Sequence, residues 1–226
     1  MRKLPTRHVS TDVLDVAVHG AGPADGPPVV LLHGYPYDIH SYVDVAPALA
    51  ESGYRVVVPY LRGHGPTRFR RPDTARSGQQ AALGADVVDL LDALAIDRAV
   101  LAGYDWGGRA ACVAAALWPD RVDVVIHSYR HRLEEVSGAP EYAEAEAALA
   151  LAPAITVPAI TLDGTADGNF PATDGSSGAA HFTGPRLHRL VPDAGHNLPQ
   201  EAPGAFADAV RDVSELAARK QQKTPV

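Results

Sequence analysis

The segment AVLAGYDWGG at residues 99–108 limits the folds open to this chain more than any other. Five small or apolar residues, Ala99 to Gly103, are too few for a helix and carry no polar alternation. Such a run fits a strand buried on both faces of a parallel sheet. The Gly-x-Asp-x-Gly-Gly string predicts a sharp turn into a helix, with Asp105 at its apex. The pattern of short apolar run and turn recurs. VVLL at 29–32 stops at His33-Gly34-Tyr35-Pro36, and RVVVP follows at 55–59.

Between these runs the spacing turns helical. Residues 38–52 carry Val43, Ala46, Leu49 and Ala50 on one stripe, and 77–95 carry Leu83, Val87, Leu90, Leu91 and Leu94. Helices are also expected over 107–118, 134–151 and 200–219. Further strands are expected at 13–18, in RVDVVIHS, within ITVPAITLDG and at 186–191. RFRRPDTAR at 68–76 reads as a solvated loop. Strand and helix alternate throughout, which predicts an α/β fold with a mostly parallel central sheet flanked by helices. Residues 1–226 read as a single domain, because no linker or repeat divides them.

Bulk properties exclude several classes. A net charge of -7 argues against nucleic acid as a partner. No apolar run reaches membrane-spanning length, and the charged N-terminus lacks the apolar stretch of a signal peptide, so a cytoplasmic protein is expected. The single Cys112 cannot form an internal disulfide and reads as an inert helical thiol. The ten histidines are scattered without metal-ligand spacing, and no dinucleotide-binding glycine string follows a strand. No metal or cofactor is expected.

In an open α/β sheet, function collects at the carboxyl ends of the strands. Four groups fall there: His33-Gly34-Tyr35-Pro36, Asp105, an acid at Asp163 or Asp167, and His196. Their order, nucleophile then acid then histidine, is that of the α/β-hydrolase triad. From about Leu14 to Val213 the chain resembles the α/β-hydrolase fold family. Its Gly-x-Asp-Trp-Gly-Gly elbow, with supporting Gly103 and Gly107, resembles that of epoxide hydrolases, and next that of haloalkane and fluoroacetate dehalogenases.

The resemblance implies a mechanism class. A serine nucleophile needs a carbonyl in the substrate, whereas a carboxylate brings its own. It attacks an sp³ carbon bearing a leaving group and forms an alkyl-enzyme ester. Water, deprotonated by His196, then attacks the carboxyl carbon of Asp105. The oxyanion would be received by the N–H groups of Tyr35 and Trp106. Asp167 would orient His196, because DGTADG matches the family's Gly-x-x-Asp acid loop, although Asp163 lies nearer the strand end. Tyr35 resembles the aromatic of epoxide hydrolases at this loop position. Tyr129 in VIHSYRHR resembles the tyrosine that protonates the epoxide oxygen. Trp106 could instead hold a halide, as in haloalkane dehalogenases.

One departure from the family is plain. Relatives insert a helical cap of about 60 residues or more after the strand that follows the elbow helix. Here PDRVDVV runs almost directly into IHSYRHRLEEV, so the cap is reduced or deleted, by nature or by design. The expectations are a small-molecule substrate, a shallow site, weak turnover and pairing of two copies through the uncapped apolar face. Against epoxide opening stand a dehalogenase and a binding or scaffold core that kept the triad without turnover.

Overall fold

The computed structural model describes residues 4–127 and 140–222. Nine strands form one sheet: β1 (Arg7–Ser10), β2 (Leu14–Ala21), β3 (Pro28–Leu32), β4 (Arg55–Pro59), β5 (Arg68–Phe69), β6 (Ala99–Gly103), β7 (Val122–His127), β8 (Ala159–Gly164) and β9 (Arg186–Val191). The helices are α1 (Val45–Glu51), α2 (Gln80–Ala93), α3 (Asp105–Leu117), α4 (Ala143–Ala150), α5 (Leu198–Glu201) and α6 (Pro203–Gln222). The strand order is β1-β2-β4-β3-β6-β7-β8-β9, with β5 paired to β2. From β4 to β9 every pairing is parallel, and β1, β2 and β5 add an antiparallel edge.

The apolar runs are explained by two covered faces. In β3, Val29 and Leu31 point into a core with α1 and α6, through Val45, Leu49, Phe206 and Val210. Val30 and Leu32 point the other way, against Leu83 and Leu91 of α2 and the alanines of α3. Each fully buried Val or Leu side chain contributes about 1.5–3 kcal/mol.

Boundaries moved where proline or local pairing overrode periodicity. The helix expected over 38–52 is instead a 3₁₀ turn, Ile39–Tyr42, followed by α1. Asp38 caps the turn by accepting from the His40 N–H at 2.8 Å. Pro47 falls in the first turn of α1, where its missing N–H costs nothing. Pro203 likewise divides the expected last helix into α5 and α6. Strands β1 and β5 were not expected: each is short, and only Val9 of β1 is buried. Of the helix expected over 134–151, residues 134–139 lie outside the described residues, and α4 forms over the remainder.

Between β7 and β8 the described residues hold a 3₁₀ turn, Pro140–Tyr142, and the short helix α4, and both are tied to the core. Glu146 Oε1 accepts from the Ala81 N–H at the start of α2, at 2.7 Å, a favourable place for a carboxylate. Tyr142, just before α4, bonds Arg62 at 3.2 Å. Arg62 also grips Asp86 of α2 with two bonds of 2.6 and 2.7 Å. No helix among the described residues is long and apolar enough to cross a membrane.

Candidate active site

Asp105 opens α3 with φ at +51°, a left-handed backbone that side chains rarely adopt. This conformation lifts the carboxylate off the end of β6. The turn is tight enough to require glycine beside it. A Cβ at Gly107 would stand 2.0 Å from the Leu32 carbonyl oxygen, and one at Gly34 would stand 2.6 Å from Asp105 Cβ.

Two peptide donors meet the carboxylate. The Tyr35 N–H donates to Asp105 Oδ1 at 2.8 Å, and the Trp106 N–H donates to the carboxylate as well. His196, in the turn after β9, places Nε2 at 3.7 Å from Asp105 Oδ2. Its Nδ1 lies 3.0 Å from Asp167 Oδ2. The other oxygen of Asp167 accepts from the N–H groups of Asn169 and Phe170, at 2.8 and 3.1 Å. One oxygen therefore holds the loop and the other meets the imidazole. Asp163 is engaged elsewhere, accepting from the Thr173 N–H and hydroxyl at 3.0 Å. Of the two candidate acids, the geometry brings Asp167 to His196.

Burial raises the Asp105 pKa, but the His196 imidazole 3.7 Å away and the Tyr35 and Trp106 N–H groups outweigh it and hold the group below its usual value. The nearby Asp105 carboxylate raises His196, burial opposes it, and Asp167 adds to the rise, so His196 reaches about 9. The resting site is an ion pair of carboxylate and imidazolium at neutral pH. His33 behaves differently. Burial lowers it to about 4, so it is neutral. Its Nε2 accepts from the Leu61 N–H at 3.1 Å, and its Nδ1 faces the Gly34 carbonyl at 3.1 Å. It joins the ends of β3 and β4 rather than reaching the carboxylate.

Tyr35 presents its backbone to Asp105 and leaves its ring 64% exposed. Pro36 follows it through a cis peptide bond. The Trp106 indole is partly exposed beneath the Arg109 guanidinium, 5.0 Å from the ring centre. Tyr129 lies outside the described residues. A depression of about 610 Å³ opens beside this loop, lined by Pro36, Tyr37, Asp38, His40 and Gln200 among others.

Other residues behind the triad carried no sequence signal. The Tyr104 hydroxyl and Ser41 Oγ are 2.7 Å apart, and Asn197 Nδ2 donates to Ser41 at 3.2 Å. Phe170 stands 6.0 Å from the His196 ring. Their separation along the chain, 156 residues for Ser41 and Asn197, hides them from any local motif. Among the described residues no cluster of three His, Cys, Asp or Glu side chains could hold a metal ion.

Comparison with known proteins places this chain in a family. The α/β hydrolase fold model matches residues 27–128. Epoxide hydrolase A of Mycobacterium tuberculosis is 39% identical over 119 residues, 53% of this chain and 36% of that protein. An epoxide hydrolase of Caballeronia sordidicola is 39% identical over 112 residues, 50% of this chain and 32% of that protein. The matched stretch thus spans about a third of each relative. A solved structure of a provisionally named epoxide hydrolase from Klebsiella pneumoniae is 36% identical with a TM-score of 0.86, covering 93% of this chain and 97% of that one. Epoxide hydrolase A of Mycobacterium thermoresistibile shares the fold at 22% identity and a TM-score of 0.75, covering 92% of this chain and 97% of that one. The chain belongs to the α/β hydrolase fold family and is related within it to epoxide hydrolases.

Proposed function

We propose that this protein is a hydrolase that opens epoxides to diols through an alkyl-enzyme ester at Asp105. One observation carries the reading: a carboxylate, not a hydroxyl, stands at the elbow, with two peptide N–H groups on it and an imidazole 3.7 Å away. In the first step Oδ2 attacks an epoxide carbon and that C–O bond breaks. The released alkoxide takes a proton, for which Tyr129 is the proposed donor. The Tyr35 N–H stays on Oδ1, so Oδ2 is the oxygen free to attack.

Alkylation removes the negative charge on Asp105. The direct contact of that carboxylate with the imidazole is the largest cause of the raised His196 pKa, so on alkylation the imidazole falls toward its ordinary value of 6.5 and releases its proton to solvent. The nucleophile's own reaction thereby prepares the base. Neutral His196 takes a proton from water as the water oxygen bonds the Asp105 carboxyl carbon. The oxyanion forms on Oδ1 against the Tyr35 and Trp106 N–H groups. Collapse breaks the ester, and the departing diol oxygen takes the proton from His196. The carboxylic acid left at Asp105 passes its proton to His196, which restores both groups. The proton that His196 gave to solvent on alkylation returns through water to the donor of the first step. The sum is epoxide plus water to diol.

The exposed rings of Tyr35, Trp106 and Phe170 suit an epoxide with an apolar substituent. Displacement of halide uses the same first step, and the Trp106 indole beside Asp105 favours it as the second reading. The test is intact-mass spectrometry of His196→Gln with a small epoxide and, separately, a small alkyl bromide. The expected result is an adduct of the whole epoxide mass, absent when Asp105 is also changed to Ala. An adduct from the bromide alone would move the assignment to dehalogenation. A folded variant with no adduct from either would overturn both readings and leave a binding role.

A further inference from the structure

The turn that carries His196 is gripped from one side by Glu201. The Gly195 N–H donates to Glu201 Oε2 at 2.8 Å. The Asn197 N–H donates to Oε1 at 3.1 Å. The two oxygens of one carboxylate therefore hold the peptide groups immediately before and after the histidine. The approach is close: a Cβ at Gly195 would stand 2.8 Å from Oε2. The Asn197 side chain is buried and donates to Ser41 Oγ and Gln200 Oε1, at 3.2 and 2.9 Å. The backbone around His196 is thus pinned by a carboxylate on both sides and by an amide below.

We infer that Glu201 is a positioning residue, which sets the His196 imidazole between Asp105 and Asp167 by gripping the two flanking N–H groups. The inference rests on the alkyl-enzyme reading for its kinetic consequence. The contacts of His196, 3.0 Å to Asp167 and 3.7 Å to Asp105, depend on the backbone torsions of residues 195–197. Free rotation there swings the ring away from both partners. Alkylation needs Asp105 with the Tyr35 and Trp106 donors, none of which Glu201 touches in the contacts above. Hydrolysis of the ester needs His196 as base. Loss of Glu201 should therefore fall on the second half-reaction.

The experiment compares full-length Glu201→Ala and Glu201→Gln with wild type, after thermal unfolding shows each is folded. The first readout is an NMR titration of His196, which needs no substrate. Among the described residues, the charged and titratable groups facing this ring include Asp105, Asp167 and Tyr104. Glu201→Ala should lower the His196 pKa by about one unit, a tenfold weaker proton affinity. Glu201→Gln, whose amide oxygen still accepts one N–H, should fall between. The second readout is single-turnover mass spectrometry with the epoxide. In Glu201→Ala, ester hydrolysis should slow by about tenfold or more while ester formation stays within about threefold.

An unchanged His196 pKa in Glu201→Ala would overturn the inference. So would equal shifts in the Ala and Gln variants, because a through-space charge effect alone gives that result. Equal slowing of both half-reactions would also overturn it. Absence of ester in wild type and in His196→Gln would remove the reaction reading, while the titration would still decide the role of Glu201.

Discussion

Gly107→Ala tests the packing that creates the elbow. The new Cβ would stand 2.0 Å from the Leu32 oxygen, 2.3 Å from its carbonyl carbon and 2.6 Å from the His33 oxygen. All three are backbone atoms, so no side chain can swing aside. The strand end cannot yield easily, because the Leu32 carbonyl also accepts from the Tyr42 hydroxyl at 2.7 Å. Relief therefore requires α3 to move about 1 Å from β3, at the upper end of overpacking costs, about 3 kcal/mol. For a chain of this size that lowers Tm by about 6–12 °C. The same movement carries Asp105 away from the Tyr35 N–H and His196, and a displacement of about 1 Å costs roughly 10²-fold in rate. Calorimetry gives the first quantity, and the rate of ester formation in the trapped His196→Gln background gives the second. Gly204→Ala is the control, because nothing lies within 4 Å of a Cβ there. It should leave Tm unchanged or slightly raised. A Gly107→Ala protein with the Tm and rate of its parent would refute the account of the elbow.

Further outcomes follow from the same geometry. Asp105→Asn should lower the His196 pKa from about 9 toward 6.5, measured by NMR titration, since Asp105 is its largest raising influence. The raised imidazole stabilises the fold fully below pH 6.5 and loses that contribution as pH rises through about 9, whereas the lowered Asp105 contributes above its usual 3.8 and loses its share as pH falls further. The Tm gap between wild type and Asp105→Asn should therefore be widest from about pH 4 to 6.5 and close on the alkaline side; a gap that widens there would contradict the ion pair. Asp167→Asn should slow turnover by about 10²-fold or more, and Asp163→Asn should not; the reverse in steady-state rates would exchange their roles. Arg62→Met leaves Asp86 buried without its partner and should cost about 3–5 kcal/mol in denaturant unfolding. Arg62→Met with Asp86→Leu should recover most of that loss, and a neutral single variant would show that the pair does not hold the α2 end.

Where the sequence was legible, burial on two faces was the reason. Val29 to Leu32 and Ala99 to Gly103 are apolar without alternation because helices cover both sides of β3 and β6, so strands and strand ends could be placed. With the ends placed, Asp105 and His196 stood out as candidates by chain order, with an acid at Asp163 or Asp167 between them. Less visible was anything made by contact between distant segments. Ser41 bonds Tyr104 and Asn197, which lie 63 and 156 residues further along the chain, and each residue type is unremarkable in its own window. Helix ends were misplaced near Pro47 and Pro203, where a proline lies in the first turn of a helix rather than interrupting one. The Gly-x-x-Asp pattern of DGTADG favours Asp167 over Asp163, and the fold turns that carboxylate toward the imidazole at 3.0 Å.

The tie between α4 and the core has a consequence for how this architecture diversifies. The chain leaves the sheet at the end of β7 and is held again by Tyr142 on Arg62 and by Glu146 on α2. Both moorings tie to Arg62 and α2, on the sheet face that α2 and α3 cover. Between two moored ends, added length costs only chain-closure entropy, about 0.6 kcal/mol for each doubling. On the proposed reaction the connections after β3, β6, β8 and β9 have no such freedom, because Tyr35, Asp105, Asp167 and His196 would have to keep their spacing within about 1 Å. Modules of very different size can therefore be spliced into the β7–β8 link while the reacting groups stay where they are. Substrate range can evolve by exchange at this one junction, without refolding the sheet beneath it.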